Sequence, residues 1–355
     1  MIPGLSKYQR QINLESFGLD NQLKLADSQV LIIGLGGLGV PVVQYLNAMG
    51  VGALGIMDND TIALHNLHRQ VLYTEAEVGQ SKVQVAATKL KKQNPQTSIT
   101  VIPAYLTKDN ALEIIKDYDV VVDASDNFAT RYLVNDACVI LGKPFVYGAL
   151  HDFEGQVSVF NHNDGPTYRC LFPKMPRMEE IPNCDENGVL GVIPGIVGSL
   201  QALEVVKILT GVGEVLSGKL LIYNGLSQEN RLVQFNANPK NKAMELLADS
   251  YGSPPCSIDL NLDATEFLAL DHPKQVIDVR SLKEFEENHW EGAVNIPLPT
   301  LGETLHQIDF KTPIYLVCQS GKRSAQAAQQ LVQAHPNAKI YSIEGGMNQI
   351  SMLCH

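Results

Sequence analysis

Thiols are few and poorly spaced for a cross-linked or metal-stapled chain. The six cysteines, Cys138, Cys170, Cys184, Cys256, Cys318 and Cys354, include no C-x-x-C pair. Nothing points to export, so reduced thiols in a cytoplasm are the expectation, and any special cysteine is special for its reactivity. Positive charge is also in deficit. Lys and Arg number 27 against 38 Asp and Glu, a formal net charge of −11, which argues against a general affinity for DNA or for an anionic membrane. The opening stretch "MIPGLSKYQRQINLESFGLD" lacks an apolar core of signal-peptide length. One long apolar run does occur, Val189 to Gly211, but it contains Pro194, Gln201, Glu204 and Lys207. It reads as a buried helix, not a membrane span. Internal repeats and low-complexity tracts are missing too.

What is present suits two domains. A chain of 355 residues is long for one core, and 45% apolar residues suffice to bury two. The first half alternates strand-like and helix-like segments. "QVLIIG", "GALGIMD", "SITVIPAY" and "DVVVDAS" read as strands, with helices at Leu38 to Met49, in "SKVQVAATKLKKQNP" and in "ALEIIKDY". This βαβ rhythm predicts an α/β fold with a mostly parallel sheet. The polar stretch 236–256, with its paired prolines, reads as a linker between a domain at 1–235 and a smaller α/β domain at 257–355.

In "VLIIGLGGLGVPVV" a strand runs into Gly34, Gly36 and Gly39 in the order G-x-G-x-x-G. That spacing predicts a Rossmann-like turn with helix amides facing a phosphate, and Asp58, about 20 residues on, suits a ribose. Nicotinamide and ATP enzymes both use this device. The residues beyond Asp58 separate them. Asp60, Asn66, Arg69, Gln70 and Lys82 come in quick succession, and Asp123 and Asp126 stand at and just past another strand end. Acyl adenylation needs cations and an amide around the α-phosphate and departing pyrophosphate, and a carboxylate that can hold Mg2+. A dehydrogenase would need a proton-relay His or Tyr and a nicotinamide pocket, and neither is clearly marked.

The motifs "GLGGLG", "D-x-D…NLHRQ", "GQSK" and "DASDN" together resemble the ubiquitin-activating-type adenylyltransferases of the MoeB/ThiF group, from "YQRQ" to about Phe235. The resemblance implies ATP and Mg2+ as cofactors and a ubiquitin-like sulfur-carrier protein ending in Gly-Gly as partner. It makes Gly37 part of the nucleotide turn and Asp58 the ribose ligand. Asn66, Arg69 and Lys82 become phosphate contacts, and Asp126 the Mg2+ ligand with Asn127 beside it. Arg10 matches an arginine that such proteins reach across a homodimer interface. His65 and His68, at i and i+3, have no further ligand set and are not read as a metal pair.

The cysteines divide by context. Cys184, in "EEIPNCDENGVLG", matches the family's loop cysteine, though Glu179, Glu180, Asp185 and Glu186 would raise its pKa. Cys170 lies where many relatives carry the first of two C-x-x-C pairs for zinc. Here Thr167 replaces one thiol and "NPKNKAM" supplies none of the second pair, so no structural zinc is expected. Cys318 ends a buried strand and opens the loop Cys318, Gln319, Ser320, Gly321, Lys322, Arg323, with a helix from near Ser324. Loop amides, helix terminus and the two cations favour a thiolate or persulfide. With "VIDVRSLKEFEENHWEGAVNIP" before it and "IEGGMNQI" after, the domain resembles the rhodanese sulfurtransferases, although "MNQISMLCH" lacks the tryptophan common in that last segment. Asp278 and Arg280 read as braces of the loop.

Joined, the halves resemble adenylyltransferase–sulfurtransferase fusions of the MOCS and MoeZ type. The expected activity is carrier adenylation and then sulfur transfer from Cys318, with Cys184 also catalytic and a cysteine desulfurase as sulfur donor. The alternatives are adenylation of a tRNA-bound or peptide carboxylate with a regulatory second domain, a nucleotide-binding oxidoreductase, or a non-catalytic scaffold.

Overall fold

The computed structural model describes residues 5–175, 188–248, 250–251, 260–270, 275–335 and 338–353. It divides into two compact units, Met1–Pro254 and Pro255–His355. In the first, α1 (Gln9–Ile12) and α2 (Gly18–Asp27) lead into β1 (Gln29–Ile33), α3 (Gly39–Met49) and β2 (Ala53–Met57). Next come α4 (Lys82–Gln93), β3 (Ser98–Ile102), α5 (Ala111–Ile115), β4 (Val120–Asp123), α6 (Phe128–Leu141) and β5 (Phe145–His151). The unit closes with β6 (Glu154–Phe160), α7 (Tyr168–Leu171), α8 (Val192–Thr210), β7 (Lys219–Asn224) and β8 (Asn230–Gln234). Val30 to Ile33 and all of β4 are buried, as strands covered on both faces must be.

The sheet runs β3-β2-β1-β4-β5-β6-β7-β8. Strands β1 to β5 are parallel, and β6 to β8 are antiparallel to their neighbours. The chain moves outward from β1 to β3, then returns to place β4 on the other edge of β1. Connections diverge there, and open α/β sheets bind ligands in the crevice so formed. Glycine makes the crevice close. Gly34 has φ +94°, a Cβ on it would lie 2.7 Å from the Ala124 carbonyl oxygen, and one on Gly39 would lie 1.9 Å from that of Gly34. The turn after β1 therefore rests directly on the turn after β4.

α8 is long and apolar enough to cross a membrane, and half of its apolar stretch is buried inside the chain. Its polar groups serve the sheet. Gln201 Nε2 donates to the Asp123 carbonyl at 2.8 Å, and Glu204 accepts from the Leu216 amide at 2.9 Å while pairing with Lys207. The stretch expected as a linker also differs from its polar appearance. Tyr251 is buried, and its hydroxyl donates to Asp136 Oδ2 at 2.7 Å and accepts from the Ala248 amide at 3.0 Å. Leu247 and Ala248 pack on the same core, so one aromatic anchor ties this segment to the first unit.

The second unit contains β9 (Asn261–Leu262), α9 (Ala264–Ala269), β10 (Gln275–Asp278), α10 (Leu282–Glu287), β11 (Val294–Asn295) and β12 (Ile314–Val317). α11 (Lys322–Ala334), β13 (Ile340–Ile343) and α12 (Gly346–Leu353) complete it. Its sheet is wholly parallel, in the order β11-β10-β12-β13-β9. The central strand, β12, is buried throughout and delivers Cys318 at its carboxyl end.

Candidate functional site

Asp58 joins the two sides of the nucleotide turn. Its Oδ2 accepts from the Leu35 amide at 2.7 Å and its Oδ1 from the Asp60 amide at 2.8 Å. Each oxygen has a second lone pair for a ribose hydroxyl. Burial pushes the Asp58 pKa above the ordinary carboxylate value, with Lys82 opposing. A raised carboxylate takes up its proton earlier as pH falls, and the neutral acid is the poorer acceptor. ATP affinity is expected to weaken as pH falls through that raised value, and Asp58→Asn to bind more weakly with this pH dependence gone. Calorimetric titration from neutral to mildly acid pH checks it; the same profile in both proteins would exclude Asp58 from ribose binding.

Cations gather behind Asp58. Arg69 donates from one terminal nitrogen to Asn66 Oδ1 at 2.6 Å and from the other to the His65 carbonyl at 3.3 Å. Desolvation lowers the Arg69 pKa, and the nearby Asp126 carboxylate opposes that. Lys82 opens α4 and is 4% exposed, with its Nζ 2.8 Å from Asp60 Oδ2. Asp60 Oδ1 accepts from the Tyr105 hydroxyl at 3.0 Å, so Tyr105 and Asp60 fix where the lysine sits. Gln70 is buried beneath the turn, its Nε2 3.7 Å from where a Gly36 Cβ would stand. A Cβ on Gly37 would meet Pro194 at 3.0 Å, so the first turn of α8 closes over the loop.

On the β4 side, Asp126 is exposed and makes no hydrogen bond among the described residues. Mg2+ keeps most of its waters and takes one or two carboxylates beside substrate phosphates, so this single carboxylate fits such an ion. Asn127 also has a structural task. Its Oδ1 caps α6 by accepting from the Thr130 amide at 2.8 Å. Asp123 is fully buried and accepts from the Ser125 amide at 3.0 Å and hydroxyl at 2.6 Å. Arg131 is buried with it, donates to the Ser125 carbonyl at 3.3 Å and lies over the Phe128 and Tyr147 rings. Asp123 and Arg131 thus brace the loop that carries Asp126. Sequence reading missed Arg131 and Tyr105; the first closes "DASDNFATR" one helical turn on, and the second carries no local signal. Arg10 stands exposed on α1 and makes no hydrogen bond or ion pair with these residues. His68 Nδ1 lies 2.9 Å from the His65 carbonyl, and no cluster of three metal-ligating side chains occurs among the described residues.

Of the cysteines singled out, Cys170 and Cys318 are placed, and Cys184 lies outside the described residues. Cys170 Sγ receives the Asn238 amide at 3.2 Å, the Thr167 amide at 3.4 Å and Asn241 Nδ2 at 3.5 Å, with Thr167 Oγ1 at 3.3 Å. Burial alone would raise its pKa; together these hydrogen bonds bring it below the ordinary thiol value. The "NPKN" turn and Thr167 do meet Cys170, with one thiol among them and donors where a metal needs lone pairs. Cys318 is 1% exposed. Ser324 Oγ lies 3.5 Å from its Sγ, and Ser342 Oγ donates to Ser324 Oγ at 2.8 Å. Gly321, at φ +89°, caps α11, which starts at Lys322, two residues before the expected Ser324. Gln319, Ser320 and Lys322 are exposed around the turn. Arg280 is held by Asp278 at 2.7 Å and donates to Gln319 Oε1 at 2.9 Å, which carries the brace into the loop. Arg323, expected to lend charge to the sulfur, is also in a bidentate pair with Glu284 at 2.9 and 2.6 Å.

The ThiF family model matches residues 8–246, more than half of the chain. The chain belongs to the ThiF family. Behind that match, the rhodanese-like domain model covers residues 263–353. Among curated relatives of this ThiF-family chain, the adenylyltransferase and sulfurtransferase MOCS3 of Drosophila grimshawi is 38% identical, over 97% of this chain and 83% of its own. MOCS3 of Aedes aegypti is 39% identical over 97% and 86%. The sulfur carrier protein adenylyltransferase of Thermus thermophilus is 50% identical over 66% of this chain and 89% of its own. Among solved structures, E. coli MccB with ATP superposes with a TM-score of 0.56 at 24% identity, covering 62% of this chain and 67% of that one. PaaA gives 0.56 at 21%, covering 65% and 74%. These last two speak for the fold alone.

Proposed function

We propose that this chain adenylates the C-terminal carboxylate of a ubiquitin-like sulfur-carrier protein ending in Gly-Gly, then delivers sulfur to it from a persulfide on Cys318. The observation that carries the reading is the gathering of the glycine turn, Asp58, Arg69 and Lys82 at the β1/β4 switch point of the sheet. The loop cysteine of the second unit and the relatives named for both activities support the second step.

The carrier carboxylate attacks the α-phosphorus of ATP, the bond to pyrophosphate breaks, and an acyl-adenylate forms. Charge grows on the phosphoryl oxygens and the leaving pyrophosphate, where Arg69 and Lys82 neutralise it. Asn66 orients Arg69, and Asp60 with Tyr105 orients Lys82. Asp126 would hold Mg2+, which adds charge neutralisation across the phosphates when bound. The terminal sulfur of the Cys318 persulfide then attacks the acyl carbon and AMP leaves. The Cys184 thiolate then attacks Cys318 Sγ of the acyl disulfide, the thiocarboxylate leaves with the electron pair, and a Cys184–Cys318 disulfide remains. A cellular dithiol reduces that disulfide by exchange, and a cysteine desulfurase recharges the freed Cys318. Cys138, Cys170 and Cys318 are all free, which suits a reducing cytoplasm. Purified protein should exchange pyrophosphate into ATP only with the carrier present; exchange without it, or none with it, overturns the reading.

A homodimer belongs to the same proposal. α8 leaves Leu203 51% exposed and α3 leaves Tyr45 55% exposed, apolar groups that a second copy could cover. With Arg10 reaching the partner's site, Arg10→Ala and Lys82→Ala should complement each other. Random pairing makes half the dimers mixed, each with one intact site, so co-refolding two inactive variants should restore about a quarter of wild-type exchange. No recovery in demonstrably mixed dimers would return Arg10 to its own subunit.

A further inference from the structure

The mouth of the Cys318 loop is bordered by two guanidinium groups, and both are already committed. Arg280 is bound to Asp278, to Gln319 Oε1 and to the Asn288 carbonyl. Arg323 faces Glu284 with two parallel hydrogen bonds of 2.9 and 2.6 Å, the geometry that holds a guanidinium most firmly. Glu284 is gripped from its other side as well. Its Oε2 accepts from the Ser281 amide at 3.1 Å and hydroxyl at 2.7 Å, in the capping box of α10. The carboxylate that neutralises Arg323 therefore cannot swing away without undoing a helix cap. The pair remains accessible, with side chains 39% and 33% exposed, and Arg323 is near enough to Cys318 to sense its charge.

Sulfur donors differ in what they ask of such a mouth. Thiosulfate is a dianion. In its reaction the Cys318 thiolate bonds to the sulfane sulfur, the sulfur–sulfur bond of thiosulfate breaks, and sulfite departs with the electron pair. A hydropersulfide, R–S–SH, reacts in the same sense as a neutral donor: Cys318 bonds to the terminal sulfur, R–S⁻ leaves with the pair, and the proton stays on the new persulfide. A free guanidinium at the mouth favours the first donor through Coulomb attraction, whereas a neutralised one favours the second.

We propose that Glu284 determines sulfur-donor specificity, holding Arg323 in a neutral pair so that Cys318 accepts sulfur from hydropersulfides in preference to dianionic thiosulfate. This rests on the reading of Cys318 as the persulfide carrier. Glu284→Gln is the informative variant, since the amide oxygen can keep the capping box while the charge is lost. Loading of the full-length chain is tracked as the mass gain of one sulfur atom on Cys318, with thiosulfate or 2-hydroxyethyl hydropersulfide as donor. The ratio of loading efficiencies, thiosulfate over hydropersulfide, is expected to rise about tenfold in Glu284→Gln, and to fall back with added salt. Arg323→Gln, which leaves Glu284 bare, should push the ratio below wild type. An unchanged ratio in Glu284→Gln, or an equal gain with both donors, overturns the proposal. If circular dichroism shows that variant unfolded, Arg323→Gln decides, and an unchanged ratio there overturns it equally. Wild-type protein that loads from neither donor would sink the sulfurtransferase reading, and this inference with it.

Discussion

Asp126→Ala is expected to abolish carrier-dependent ATP–pyrophosphate exchange, a loss of at least about 100-fold, with the fold intact. Asp126 is exposed, so its removal empties no core, and the loop that carries it is held by Asp123, Ser125 and Arg131 beneath. Two roles compete for this carboxylate. It could hold Mg2+ against the phosphates, or it could act only by its attraction to Arg69, setting where that guanidinium sits. They separate in combination. If Asp126 acts through Arg69, adding Asp126→Ala to Arg69→Ala costs little more; if it holds the ion, the losses multiply. The Mg2+ concentration for half-maximal exchange also rises only in the second case. Exchange that survives Asp126→Ala with its Mg2+ dependence unaltered would remove the residue from the metal role.

The nucleotide half was the more legible because its signals are local. Gly34 to Gly39 must turn tightly against the next strand, Asp58 must come straight after β2, and the run from Asn66 to Lys82 sits in one connection, so contiguous sequence encodes contiguous chemistry. What escaped are partners drawn from elsewhere. Tyr105 orients Asp60 across 45 residues, and Glu284 reaches Arg323 across 39. No pattern in either segment announces the other, and only the strand order brings them together. The cap role of Asn127 escaped for a different reason. An Asn just before a helix serves as a cap as readily as a ligand, and its Oδ1 accepts from the backbone amide of Thr130. The expected linker hid Tyr251, because a single buried aromatic leaves no periodicity.

Cys318→Ala should remove sulfur transfer entirely and leave carrier-dependent exchange at the wild-type rate. The substitution is mild where it stands. Cys318 ends the buried strand β12, alanine deletes one sulfur atom, and the cost to stability is of order 1 kcal/mol. Its Sγ touches Ser324, and Asp58, Arg69, Lys82 and Asp126 all belong to the first unit. Exchange is therefore expected to proceed without the thiol. The prediction also tests which thiol carries the sulfur. Cys138 is fully buried and its thiol pKa is pushed up by desolvation, so it is inert. Cys170 is the serious rival, since its hydrogen bonds lower its pKa. Sulfur transfer that persisted in Cys318→Ala and vanished on adding Cys170→Ser would move the persulfide to the first unit. Loss of exchange together with sulfur transfer in a folded Cys318→Ala protein would contradict the division of labour between the two units.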